Sequence, residues 1–301
     1  MIDEAGPPPE GPLLTREILA ADLRALGLGR GGVLLVHASM GSLGWVCGGA
    51  TAVVLALLDV LGPAGTLVVP TFTSDNRDPS RWRDPPVPEH WWGAIREALP
   101  AFDPVVSPGH RMGAVSEQVR TWPGAVRSAH PQTSFAALGP AASHVAAEHA
   151  RDCHLGERSP LARLEELGAD VLLLGVGWGR CTSFHLAEYR RPDPPSRPYT
   201  CVVATEEPPG RAWVTFEDVD LDDRDFPLLG EDFAAHRSGD DALHAGSGRA
   251  EGPVTGRIGR GRCHLFPLAA GVRFAVDWLP RHRHGAPAIR TSCGPPAGDP
   301  L

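Results

Sequence analysis

Residues 171–191, VLLLGVGWGRCTSFHLAEYRR, carry the residue types with the clearest chemical potential. A Val/Leu run leads into a glycine-rich turn, and Thr182 or Ser183 can cap the helix that follows. His185 then falls in the first helical turn, and Glu188, three residues on, shares its face. The positive helix end disfavours an imidazolium while the carboxylate favours it, which suits the ring to general-base work. The competing reading is a structural histidine, hydrogen-bonded beneath a helix. Cys181 at the same helix entry is an alternative nucleophile, although its place in the turn reads as structural.

Such residues need a scaffold. Three apolar runs, at 33–37, 66–72 and 171–177, are bounded by turn signals and read as buried strands of a parallel sheet. Between the first two lies GATAVVLALLDVL, helical in composition and stopped by Gly62-Pro63, so the unit is a βαβ crossover. Further helices are expected at 15–26, 139–151 and 159–167. Ligands of open α/β sheets bind at the carboxyl ends of strands. Those ends here carry His37-Ala38-Ser39, Thr71-Phe72-Thr73 and the turn running to His185, which converge on one crevice. Proline-rich stretches at 75–88 and 192–198 read as loops, and 235–256 lacks apolar periodicity. The expected organisation is a disordered N-terminus over 1–14, one domain over 15–280 and a flexible tail over 281–301.

Composition narrows the classes of function. With 301 residues, 42% of them hydrophobic, the chain can bury a substantial core. A formal charge of −8 argues against nucleic acid and favours a cationic small molecule. All 28 basic residues are arginine, which excludes a P-loop lysine, a lysine Schiff base and the kinase lysine. The six cysteines are scattered without CxxC, and no HExxH accompanies His144, His149 or Cys153-His154, so no metal site is expected. No apolar run approaches the roughly 20 residues of a membrane span. The acidic, proline-rich start is unlike a secretory signal, and a cytoplasmic protein is expected.

Four separated blocks carry a family resemblance: residues 33–73, 112–140, SPLARL at 159–164, and VLLLGVG with TSFHLAEY. Together they resemble the aminoglycoside 3-N-acetyltransferase family from about residue 15 to 280. The resemblance implies an α/β fold, a mainly parallel central sheet flanked by helices in an α/β/α sandwich. It also implies transfer of an acetyl group from acetyl-CoA to an aminoglycoside amine, without metal, by a monomer or homodimer.

On this resemblance His185 matches the catalytic histidine and Glu188 its nearby carboxylate, which is also a substrate-binding candidate; in the transfer so implied, the Thr182 hydroxyl is a candidate to stabilise the oxyanion. Asp218 and Asp220 fall where relatives hold the cationic substrate or orient the histidine, with Asp220 preferred; Asp222 and Asp223 read as solvated loop. The coenzyme side is implied by His37, Ser39, Met40, Gly41, Ser42 and Leu43, whose loop presents amides and hydroxyls to the pyrophosphate. Thr71 at its strand end, and Arg127, Ser128 and His130, are further coenzyme candidates. Met112, Gly113 and Phe135 would line the pantetheine channel. Two departures stand out: Ala38 lacks a hydroxyl that many relatives have, and the loop at 75–110 with Trp82, Trp91 and Trp92 follows the family least. Competing readings are an acyltransferase for a biosynthetic amine and an antibiotic-sequestering binding protein.

Overall fold

The structure, a computed structural model, describes residues 11–207, 210–240 and 252–283. In chain order its helices and strands are α1 (Arg16–Ala25), β1 (Val33–Ala38), α2 (Met40–Leu43), α3 (Gly49–Leu61) and β2 (Thr66–Pro70). Next come α4 (Trp92–Ala98), α5 (Ala114–Arg120), β3 (Val126–Arg127), β4 (Phe135–Leu138), α6 (Ala142–Ala146) and α7 (Pro160–Glu166). β5 (Asp170–Leu174), α8 (Phe184–Tyr189), β6 (Ser196–Ala204), β7 (Arg211–Val219) and α9 (Phe226–Asp240) follow. The last elements are β8 (Val254–Ile258), β9 (Gly261–Pro267) and α10 (Leu268–His282).

Seven strands form one sheet in the order β3-β4-β2-β1-β5-β9-β8, and β6 and β7 make a separate hairpin. The three strands expected from the apolar runs are its centre, with β1 paired in parallel to β2 and to β5. β1, α3 and β2 make the expected crossover. The outer ladders β2–β4, β3–β4, β5–β9 and β8–β9 are antiparallel, so the sheet is parallel only at its centre.

Side-chain alternation divides the core into two layers. Leu34, Val36, Leu67, Val69, Leu172 and Leu174 face α1, α3 and α5, whereas Leu35, Val68, Val171 and Leu173 face α6 to α10. Both faces are covered, which is why these strands read as continuous apolar runs. Local chemistry sets the helix ends. The Thr15 hydroxyl accepts from the Ile18 amide at 3.3 Å, and Ser159 caps α7 with Pro160 in its first turn. α3 stops at Gly62, where φ is +66°.

Several boundaries differ from expectation. Leu14, assigned to the disordered N-terminus, is buried and bridges to Val46. The helix expected over 139–151 is confined to α6. The loop at 75–110 contains α4, and the 192–198 loop gives way to β6 at Ser196. Residues 281–283, assigned to the tail, finish α10 and its cap. Residues 1–10, 241–251 and 284–301, which include most of the remaining tail, lie outside the described residues.

Candidate active site

At the carboxyl ends of β1 and β5 a cleft of about 730 Å³ opens between the β1–α2 turn, residues 111–116 and the approach to α8. β5 ends at Leu174, and Gly175 has φ +68°, with a Cβ there only 3.1 Å from Ser42 Cβ. Glycine is therefore required for this backbone to pass the β1–α2 turn. Beyond it α8 begins after Ser183 and presents His185 to the cleft.

The His185 Nδ1–H donates to Glu188 Oε2 at 2.6 Å, the i,i+3 geometry that the sequence spacing predicts. Glu188 is 1% exposed, so its charge needs local partners. Its other oxygen accepts from the Asp222 amide at 3.1 Å and from the Arg283 guanidinium. Arg283 also holds Asp225 through Nε at 2.6 Å and donates to the Asp222 carbonyl. Burial works against the Arg283 charge, but Asp225 and Glu188 outweigh it and hold the guanidinium above its ordinary value. With Nδ1 committed and the ring packed 4.7 Å from Phe226, His185 has Nε2 left for the cleft.

Thr182 also lines the cleft, its hydroxyl 3.2 Å from His37 Nε2. Burial, with a smaller contribution from facing His185, pushes His37 down to about 3, so this ring is neutral at physiological pH. Cys181 borders the cleft too, but burial pushes its thiol up to about 12 and it bonds Ser183 at 3.1 Å. That environment is the opposite of one that makes a thiolate.

His37, Ser39, Met40, Gly41, Ser42, Met112 and Gly113 all line this cleft, together with Thr182 and His185. Residues 40–43 are a short helical turn. The Ser39 amide is taken by Leu174 O and the Ser42 amide by Ser39 O, while those of Met40 and Gly41 open the turn without an acceptor inside it. Leu43 departs from expectation, its side chain being wholly buried in the layer beneath α1 and α3.

The remaining coenzyme candidates lie elsewhere. Thr71 is buried against the Ser134 carbonyl at 3.0 Å, and Arg127 braces the Thr71 carbonyl at 2.6 Å. Ser128 accepts from the Phe135 amide at 2.9 Å, and Phe135 is core. His130 accepts at Nδ1 from the amides of Gln132 and Thr133, at 3.1 and 3.0 Å, and donates through Nε2 to Arg151 O. Their polar atoms are engaged inside the protein, so this block holds a fold and does not line the cleft.

The acidic segment is also redistributed. Asp218, expected to bind substrate, is buried, and its Oδ2 accepts from the His154 amide, the His154 ring and Tyr189. Asp220, expected to bind substrate or orient the histidine, instead faces Arg197 at 2.7 Å in a half-exposed pair. Glu188, a third substrate candidate, is enclosed behind His185. The residues read as solvated loop do more: Asp222 supplies an amide to Glu188, and among the described residues Asp223 is the one acidic residue lining the cleft. Arg283 lies in the segment expected to be a tail, and no local pattern in the sequence marks it.

A family model described as aminoglycoside 3-N-acetyltransferase matches residues 35–280. The chain belongs to the aminoglycoside 3-N-acetyltransferase family. It is therefore an acyltransferase acting on aminoglycoside amino groups. Aminoglycoside N(3)-acetyltransferase VIII of Streptomyces fradiae is 39% identical over 297 residues, covering 95% of this chain and 97% of that protein. The crystal structure of YokD from Bacillus subtilis superposes with a TM-score of 0.80 at 37% identity, covering 89% of this chain and 94% of that one. AAC-IIIb, solved as a binary complex with CoASH, aligns with a TM-score of 0.74 at 34% identity over 92% of this chain and all of that one. Among the described residues no helix is long and apolar enough to cross a membrane, and no group of three His, Cys, Asp or Glu side chains is placed to hold a metal ion.

Proposed function

We propose that this enzyme transfers the acetyl group of acetyl-CoA directly to the 3-amino group of an aminoglycoside, with His185 as general base, and so confers resistance. The observation that carries the reading is His185, held by Glu188 through Nδ1 and open to the cleft through Nε2. The amides of Met40 and Gly41, together with the Ser39 and Ser42 hydroxyls, suit an anionic coenzyme at the other end of the cleft. Relatedness to a protein solved with CoASH supports the same donor.

The acceptor's amine nitrogen attacks the thioester carbonyl carbon, and Thr182 is placed to donate to the oxygen that becomes negative. His185 Nε2 takes the proton from the nitrogen while the carbon–sulfur bond breaks, and the imidazolium gives that proton to the departing thiolate, which leaves as CoASH. Glu188 stabilises the imidazolium that forms. Asp223 offers the acceptor a carboxylate within the cleft.

Thiol release from acetyl-CoA across a panel of aminoglycosides tests the reading. Intersecting initial-rate plots and an active Cys181→Ala variant are expected for direct transfer. Parallel plots with acetylated Cys181 would establish a covalent route, and no thermal shift with saturating acetyl-CoA would remove the donor assignment.

A further inference from the structure

A second cavity of about 220 Å³ lies beyond Phe72, a residue that lines both it and the cleft. Arg77, Arg81 and Arg197 line it, along with apolar surface from Tyr199 and Leu221. Among the described residues Asp78 is the one carboxylate in its wall, and it is engaged by Arg96 at 2.8 and 3.0 Å and by Ser80. Arg197 lies 2.7 Å from Asp220 without hydrogen-bond alignment, its guanidinium stacked 4.2 Å over Tyr199. The Nε of Arg77 is enclosed and has no hydrogen-bond partner. Burial and the Arg197 charge both work against this guanidinium, and Asp75 offsets them only in part.

The arrangement is built into the fold. Thr73 donates to Pro131 O at 2.6 Å, Asn76 exchanges two hydrogen bonds with the Val202 backbone, and the Trp82 indole donates to Arg77 O at 3.1 Å. These contacts fix the 73–82 segment against the β6–β7 hairpin and hold Arg77 at the cavity. A half-buried cation whose nearby carboxylate balances it only in part favours a ligand that supplies the remaining counter-charge.

We propose that this cavity is a binding site for a small organic anion, a carboxylate or phosphate monoester carried on a single ring. The guanidiniums of Arg77 and Arg81 take the anionic group, and the Phe72, Tyr199 and Leu221 surface takes the ring. The volume falls below the roughly 300–1,000 Å³ of drug-sized pockets, too small for a multi-ring aminoglycoside, whose charge the arginines would also repel. The anion has two possible sources, a separate small molecule or an acidic substituent on an acceptor reaching past Phe72.

Calorimetric titration of phenyl phosphate and benzoate tests this, in phosphate-free buffer with CoA saturating so that the cleft amides are already occupied. CoA binding is verified first, so a failure of the donor assignment is seen separately. Both anions are expected to bind and benzyl alcohol is not. Arg77→Gln should weaken them by about tenfold to a hundredfold. Arg81→Gln, at an exposed position, should weaken them less and keeps the test available if the first variant does not fold. Repeating the titration with an aminoglycoside present separates the sources: unchanged affinity indicates a separate ligand, competition an acidic acceptor group, and either keeps the anion site. Absence of heat with both anions, or unchanged affinity in both folded variants, overturns it.

Discussion

His185 and His154 each place Nδ1 2.6 Å from a buried carboxylate, Glu188 and Asp218 respectively. Around His154 everything else is also taken. Its Nε2 is 2.9 Å from Gln132 Oε1, its ring packs 4.1 Å from Tyr199 and 4.7 Å from His130, and Asp218 Oδ1 accepts from the Val219 amide. That pair ties β7 to residues 128–154 and, through Tyr189, to α8. At His185 the carboxylate is equally buried, but the second nitrogen meets a cleft. The short contact is thus shared by a pair closed on all sides and a pair that borders a cleft, and the difference is whether a ring nitrogen is left for a ligand.

The strongest way to break this comparison is to remove each histidine in turn. His185→Ala should lower kcat by about 10²- to 10⁴-fold, the contribution of a positioned base, with little change in CoA binding. His154→Gln should instead lower the urea midpoint and leave kcat per folded molecule within a few-fold of wild type. A folded His185→Ala enzyme turning over at near wild-type rate would return His185 to a structural role and direct attention to the carboxylates.

Arg283 sharpens the comparison from the carboxylate side. Arg283→Ala leaves Glu188 buried with its charge only partly compensated, a change that typically costs about 3–5 kcal/mol. Urea unfolding should show that loss, and kcat should fall with KM for acetyl-CoA nearly unchanged, because Arg283 acts through Glu188 on His185. An Arg283→Ala protein as stable as wild type would mean that Asp225 and the Asp222 amide hold Glu188 by themselves.

These two residues also mark how far the sequence could be read. His185 and Glu188 were legible because i,i+3 spacing on a helix is local geometry, and β1, β2 and β5 because both sheet faces are covered. Arg283 was not, since it reaches Glu188 from 95 positions away and its neighbours have tail-like composition. Arg127, Ser128 and His130 carry a related ambiguity. A polar side chain that contacts a ligand and one that satisfies buried backbone groups are the same letter, and only the fold shows which atoms are engaged. The antiparallel outer strands and the separate β6–β7 hairpin are not legible in the sequence, because β3 and β4 are short and β6 to β9 lack the uniform apolar runs of the central three.

Acid should reveal what the buried rings contribute to stability. Burial lowers His37 and His149 to about 3 and His264 to about 4, and pushes His130 well down. His130 and His149 each donate through Nε2 and accept at Nδ1, a neutral pattern. Between the unfolded value near 6.5 and these folded values the unfolded chain binds more protons. Stability is therefore fully present above about pH 6.5 and is lost as pH falls toward 4, by at most ~1.4 kcal/mol per pH unit for each ring. Urea unfolding from pH 7 to 4.5 should show this slope, and His149→Gln should reduce it by about one proton. A stability flat in pH over that range would mean these rings are charged or solvated.

The smallest effect is expected at Asp220, where sequence and structure disagree most directly. If Asp220 oriented His185 or gripped a cationic acceptor, Asp220→Asn would lower kcat or raise KM for the aminoglycoside. The structure gives its carboxylate to Arg197 in a half-exposed pair, and Glu188 already occupies the His185 Nδ1 position. Exposed pairs contribute about 0–1 kcal/mol and are screened by salt. Asp220→Asn should therefore shift the urea midpoint slightly at low ionic strength and not at high, with kcat and KM for the aminoglycoside unchanged. Asp223→Asn should raise KM for the aminoglycoside and leave KM for acetyl-CoA alone, because Asp223 places a carboxylate in the cleft wall. Should Asp220→Asn give the larger rise in KM, substrate would have to approach along the β6–β7 hairpin, and recognition would be assigned to that side of Phe72.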